Sequence, residues 1–126
     1  MRIFKLKAFA RFQRKERISD TALAAVVFNA DNGFLDADLG GGLIKQRFSR
    51  AGQGKSGGYR TVIAFRRGER AVFLFGFAKN ERKNIGVEDL EELKYLAREY
   101  LEMKTDQIDA MIEQDEFIEV NYDPQN

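Results

Sequence analysis

Apolar and polar residues change their period along this chain, and each change predicts an element. Ile3 to Lys15 alternates at first, with Phe4, Leu6 and Ala8 against Lys5 and Lys7, then shifts to helical spacing at Ala8, Phe9 and Phe12. This predicts a short strand running into a helix, or one helix throughout. Ser19 or Asp20 is a fitting N-cap for a helix over Thr21 to Asn29, with Leu23, Val26 and Val27 on one face. Asn32-Gly33 breaks it, and Asp36 to Gly42 reads as a flexible turn feeding a strand.

Three strand patterns follow. Over Leu43 to Ser49, Leu43, Lys45 and Arg47 alternate with Ile44, Gln46 and Phe48, so one face is basic and the other largely apolar. A loop, Arg50 to Gly58, carries four Gly and no Pro. Tyr59 to Arg66 puts Tyr59, Thr61, Ile63 and Phe65 on one face and Arg60, Val62 and Ala64 on the other. Arg67-Gly68-Glu69 is a turn, and Arg70 to Phe77 sets Ala71, Phe73, Phe75 and Phe77 against Val72, Leu74 and Gly76. Both faces of this last strand are apolar, which predicts a central position with helices over one face.

Val87 to Met103 is the clearest helix, with Leu90, Leu93, Leu96, Ala97, Tyr100 and Leu101 in one stripe. Its first turns hold Glu88, Asp89, Glu91 and Glu92, which suits the helix dipole. Thr105 or Asp106 caps a short helix with Ile108, Met111 and Ile112 inward, and Phe117 to Val120 reads as a final strand. The expected architecture is α+β, a single domain over residues 1–126. Its small, mainly antiparallel sheet of three to four strands would pack with N-terminal and C-terminal helices.

Composition narrows the chemistry. The chain has no Cys and no His, so disulfides, Cys-type metal sites and the usual neutral-pH base are excluded. No metal and no cofactor are expected. No apolar run reaches the roughly 18 residues of a membrane span, so a cytoplasmic protein without membrane contact is expected. The net charge of +1 conceals segregation: residues 1–17 carry +6, 18–44 carry −4, 45–83 carry +9 and 84–126 carry −10. The distribution, unlike the total, predicts a local polyanion site.

That site falls on the hairpin. Arg50, Lys55 and Arg60 lie in or beside the glycine-rich loop, and Lys79, Arg82 and Lys83 follow the last strand. The open ends of an antiparallel hairpin lie together, so both groups are expected on one surface. Lys45 and Arg47 extend the basic face. Arg60 offers a rigid fork for phosphate oxygens. Tyr59 and Phe77 are candidates for stacking on unpaired bases, although each is read more simply as core. Gly54-Lys55-Ser56 is not a phosphate-binding P-loop, because position 49 is Ser and a strand, not a helix, follows. Gly57-Gly58 reads most simply as a loop needing positive φ. Arg66, Arg67 and Arg70 flank the far turn and read as a solvated tip.

The run Gly54-Lys55-Ser56-Gly57-Gly58-Tyr59-Arg60, two strands, then Ala78-Lys79-Asn80-Glu81-Arg82, resembles the RelE/ParE toxin superfamily. Leu39 to Arg47 and the C-terminal helices point to its HigB-like RelE group. The resemblance covers nearly the whole chain. It implies a RelE-like fold and a type II toxin held by a cognate antitoxin, a small helix-turn-helix protein. It also implies a metal-independent endoribonuclease (an mRNA interferase) that cuts mRNA on the ribosome and inhibits translation. Arg60 would then contact the scissile phosphate, with Lys55, Lys79 and Arg82 completing the catalytic set. Lys45, Arg47, Arg50, Tyr59, Phe77 and Lys83 would bind RNA. Many active members carry a Tyr or His near the chain end as base; here the hairpin is followed by Lys83-Asn84-Ile85-Gly86, so the base is left among Lys55, Lys79 and Glu81. The alternatives are a ParE-like gyrase poison and a noncatalytic RNA- or protein-binding domain of the same fold.

Overall fold

The computed structural model describes residues 1–50, 54–78 and 87–122. β1 (Arg2–Leu6) runs directly into α1 (Lys7–Glu16), followed by α2 (Asp20–Asp31), β2 (Ala37–Gly40) and β3 (Leu43–Arg50). Then come β4 (Gly54–Arg66), β5 (Arg70–Ala78), α3 (Val87–Glu102), α4 (Thr105–Glu113) and β6 (Phe117–Glu119). The six strands form one sheet in the order β2-β3-β4-β5-β1-β6. All pairs are antiparallel except β1 with β5. The α+β class is as expected, with a larger sheet. β2 falls in the stretch read as a flexible turn; it is only four residues long and ends in glycine, and its pairing with β3 is set by tertiary contact rather than by its own pattern.

Helices cover both faces of the sheet, not one. The first face packs Ile44, Ile63, Ala71 and Phe73 against Phe9 of α1 and Leu23, Val26 and Val27 of α2. The second packs Leu43, Val62, Ala64, Val72 and Leu74 against Ala97 and Leu101 of α3 and Ile108 of α4. Fully burying one such Leu, Val or Phe is worth about 1.5–3 kcal/mol. Both layers are therefore needed to hold a central strand that is apolar on both sides. Among the described residues, no helix is long and apolar enough to cross a membrane.

Local chemistry fixes the ends of the helices. Ser19 is the N-cap of α2, its Oγ accepting from the Ala22 N–H at 3.1 Å. Lys104, not Thr105 or Asp106, is the N-cap of α4, and the Gln107 side chain accepts its N–H at 2.8 Å. α1 ends on Arg17 in the left-handed region, φ 57°, where the Arg17 N–H reaches the Arg14 carbonyl at 3.2 Å.

The β4–β5 pair carries a bulge. Val62 faces Phe75 but Ile63 faces Phe73, so Leu74 is the extra residue. Strict alternation along β5 therefore fails beyond Leu74. Phe75 joins Leu74 on the α3 face, and Gly76 turns toward α1. A Cβ on Gly76 would lie 2.6 Å from Phe12 Cε2 and 2.9 Å from Phe9 Cε2, so this glycine lets α1 approach the sheet.

Candidate nucleic-acid interface

Beyond the region covered by α3, the second face carries cross-strand rows of different chemistry. Arg60 on β4 lies between Arg47 of β3 and Phe77 of β5. The neighbouring row is Lys45, Val62 and Phe75. Partners across a ladder point to one face, so Lys45, Arg47 and Arg60 share a surface. Like charges directly opposite one another destabilise a sheet, and Arg47 and Arg60 are directly opposite.

The two arginines are treated differently by their surroundings. Asp36 accepts the Arg47 backbone N–H at 2.6 Å and lies 3.4 Å from Arg47 Nε. Asp36 is itself held by Gln46, a buried side chain whose Oε1 accepts the Asp36 N–H at 2.8 Å. Gln46 Nε2 donates to the Phe34 carbonyl at 3.0 Å. Arg60 is half-buried and has no ion pair among the described residues. Its one bond there is a long one, 3.5 Å, from Nη1 to the Tyr59 carbonyl. A guanidinium has five donors, so most of the Arg60 bonding capacity is not taken up by the described residues, beside a second cation. The planar guanidinium fork has the geometry to pair two of its N–H groups with two oxygens of an anion such as a phosphate.

Tyr59 and Phe77 do not offer open rings. They are only 2% and 5% exposed. The Tyr59 ring meets Phe12 of α1 edge-on at 5.6 Å, and Phe77 packs on Phe75 at 5.7 Å. Both rings are packed within the protein, as the simpler core reading expects. Arg50 and Lys55 have backbone positions at the facing ends of β3 and β4, where Arg50 pairs with Gly54; their side chains are not described. β5 ends with Ala78 beside Tyr59, and Lys79, Arg82 and Lys83 lie outside the described residues. Gly57 and Gly58 lie inside β4 rather than in a loop, and the strand that continues through Lys55-Ser56 agrees with the rejection of a P-loop.

A family model described as the RelE toxin of the RelE/RelB toxin–antitoxin system matches residues 1–120. The chain belongs to the RelE toxin family. It is thus a toxin of a toxin–antitoxin system, and a cognate antitoxin is its partner. No curated protein matches the sequence.

The far end of the hairpin in this RelE-family toxin is not a solvated tip. Arg70 Nη1 lies 2.8 Å from the Tyr100 carbonyl and 3.0 Å from that of Met103, and Arg66 Nη1 donates to the Leu101 carbonyl at 2.8 Å. These carbonyls end α3 and lack helical partners, so two cations complete the helix terminus. Burial and the neighbouring Arg66 and Arg2 together push the Arg70 pKa below the usual arginine value, while Glu69 acts the other way. Only Arg67 remains simply exposed. The sequence also gave no sign of a polar network under α1. Lys5 Nζ donates to Gln13 Oε1 at 2.7 Å and to Asp20 Oδ1 at 2.8 Å, and Gln13 Nε2 donates to Asp20 at 2.7 Å. Lys5 alternates with apolar residues along β1, and its side chain is turned inward.

Proposed function

We propose that this toxin is a HigB-like endoribonuclease that cuts mRNA on the translating ribosome, in the cytoplasm, and is restrained by a small helix-turn-helix antitoxin. The supporting observation is Arg60: a half-buried guanidinium, directly opposite Arg47, with no carboxylate partner among the described residues. A partly desolvated cation that no described carboxylate compensates is suited to meeting negative charge as it develops.

The reaction uses the RNA's own nucleophile. The 2′-hydroxyl attacks the adjacent phosphorus, the bond from phosphorus to the 5′-oxygen breaks, and a 2′,3′-cyclic phosphate and a 5′-hydroxyl result. The 2′-proton passes to a base, and an acid supplies a proton to the leaving 5′-oxygen. Arg60 and Arg82 stabilise the extra charge on the phosphorane. Lys55 and Lys79 are the candidates for moving protons, because neighbouring cations disfavour the protonated form of a lysine. Glu81 is the remaining base candidate. Lys45, Arg47, Arg50 and Lys83 hold flanking phosphates.

A translation extract supplied with a defined mRNA tests this reading. Wild-type toxin should cut the message, whereas Arg60→Ala and Lys55→Ala should not, with circular dichroism unchanged. Full cutting by both variants would remove the site. Inhibited DNA supercoiling with intact mRNA would replace this reading with gyrase poisoning.

A further inference from the structure

On the opposite face of the sheet, a cleft of ≈ 320 Å³ opens between α1, β1 and β6. Lys5, Gln13, Arg14, Arg17, Ile18 and Ile118 line it. Lys5 and Ile118 are ladder partners. Lys5 and Gln13 form the floor, and Asp20 ties them together through bonds from Lys5 and Gln13 and from the Asn121 N–H at 2.9 Å. Gln13 has both ends of its amide engaged. Lys5 uses two of its three donors, which leaves one. Arg14 and Arg17 are exposed, and neither has an ion pair among the described residues. The position of Arg17 is fixed by the left-handed turn that ends α1.

We propose that this cleft receives a glutamate or aspartate side chain of a protein partner, for which the antitoxin is the partner class the family supplies. The walls of Ile18 and Ile118 would cover a short apolar stem, and the Lys5 donor, Arg14 and Arg17 would meet the carboxylate. An RNA diester phosphate has no apolar stem to cover these walls, so the cleft favours an acidic peptide over nucleic acid. The proposal rests on the family membership and not on the Arg60 site; an Arg60→Ala toxin should keep this cleft intact.

The test is an NMR titration of labelled toxin, following the Ile methyls and the Arg Nε–H groups. The probes are N-acetylglutamate α-amide, its glutamine counterpart and inorganic phosphate. Charge-assisted hydrogen bonds predict saturable shifts at Ile18 and Ile118 with the glutamate probe, and about tenfold or greater weakening with the glutamine probe. The paired change Arg14→Gln with Arg17→Asn should weaken the glutamate probe by a similar factor; Asn tolerates the left-handed turn, so the fold is kept. The same pair should lower affinity for the cognate antitoxin by about tenfold or more, with mRNA cutting by the free toxin unchanged. Equal binding of both amino-acid probes, equal binding by the variant, or phosphate binding as tight as the glutamate probe would each overturn the carboxylate site. Unchanged antitoxin affinity would overturn the assignment of its occupant.

Discussion

Replacing Arg70 by Met should destabilise this toxin substantially, although a hairpin tip in water would tolerate the change. Met keeps an apolar stem and removes the charged head. The Arg70 Nη1 group lies 2.8 Å from the Tyr100 carbonyl, 3.3 Å from that of Leu101 and 3.0 Å from that of Met103. One nitrogen carries two N–H groups, so at most two of these contacts are full bonds. Leu101 also has Arg66 at 2.8 Å, so the change deprives Tyr100 and Met103 in particular. A hydrogen bond from a charged donor contributes about 1.5–3 kcal/mol. A cation at a helix C-terminus adds about 0.3–1 kcal/mol. The site is only partly buried, so water will replace some of this, and we expect a net loss of roughly 2 kcal/mol. Urea unfolding followed by circular dichroism should show a lower midpoint with an unchanged slope. Hydrogen exchange should accelerate first in the last turn of α3. A loss below about 0.5 kcal/mol, the range of ordinary surface substitutions, would refute the capping role and restore the solvated tip.

Other changes test other parts of the fold. Gly76→Ala places a methyl group 2.6 to 2.9 Å from the Phe12 and Phe9 rings; overpacking of this kind should cost about 1–3 kcal/mol in a thermal or urea melt. For Asp20, burial pushes the carboxyl pKa up, but the bonds from Lys5, Gln13 and the Asn121 N–H outweigh it and hold it below the usual value. A depressed carboxylate stabilises the fold above its unfolded pKa of about 3.9. That contribution disappears as pH falls through the lower folded value. Acid titration of stability should therefore show a limb below about pH 4 that Asp20→Asn shallows, and an identical limb in the variant would exclude this pair as its source. The Arg2–Glu119 bond at 2.9 Å is much more exposed, and Glu119→Gln should cost about 1 kcal/mol or less in the same urea assay.

Where local pattern and tertiary surroundings agree, the sequence was a good guide. β4 alternates as read, with Ile63 and Phe65 toward the α1–α2 layer and Val62 and Ala64 toward α3. The alternation within each strand was legible, but that Arg47 and Arg60 share a face depends on the cross-strand register, which no single strand's pattern contains. β5 was misread past Leu74 because a bulge reverses the pleat without leaving a mark in an apolar run. Arg70 was misread, and the partners of Lys5 were not foreseen, for a common reason: a cation on a strand looks the same whether it meets water, a carboxylate fifteen residues away or a helix end thirty residues away. Tyr59 and Phe77 show the converse. An aromatic beside an arginine looks available for stacking, but α1 and the neighbouring Phe75 occupy those rings. Asp36 and Gln46, which govern Arg47, were hidden in a turn and on an apolar face.

The most direct test of the central claim is to map transcript 5′ ends after induction of the wild-type toxin and of Arg60→Ala, with translation running and with it blocked. New 5′-hydroxyl ends are expected within translated messages and should vanish when translation stops. Removing the cation that stabilises the phosphorane should reduce them by about 10²-fold or more. New ends produced equally well by Arg60→Ala would contradict the central claim, and so would growth arrest by the wild-type toxin with every transcript intact.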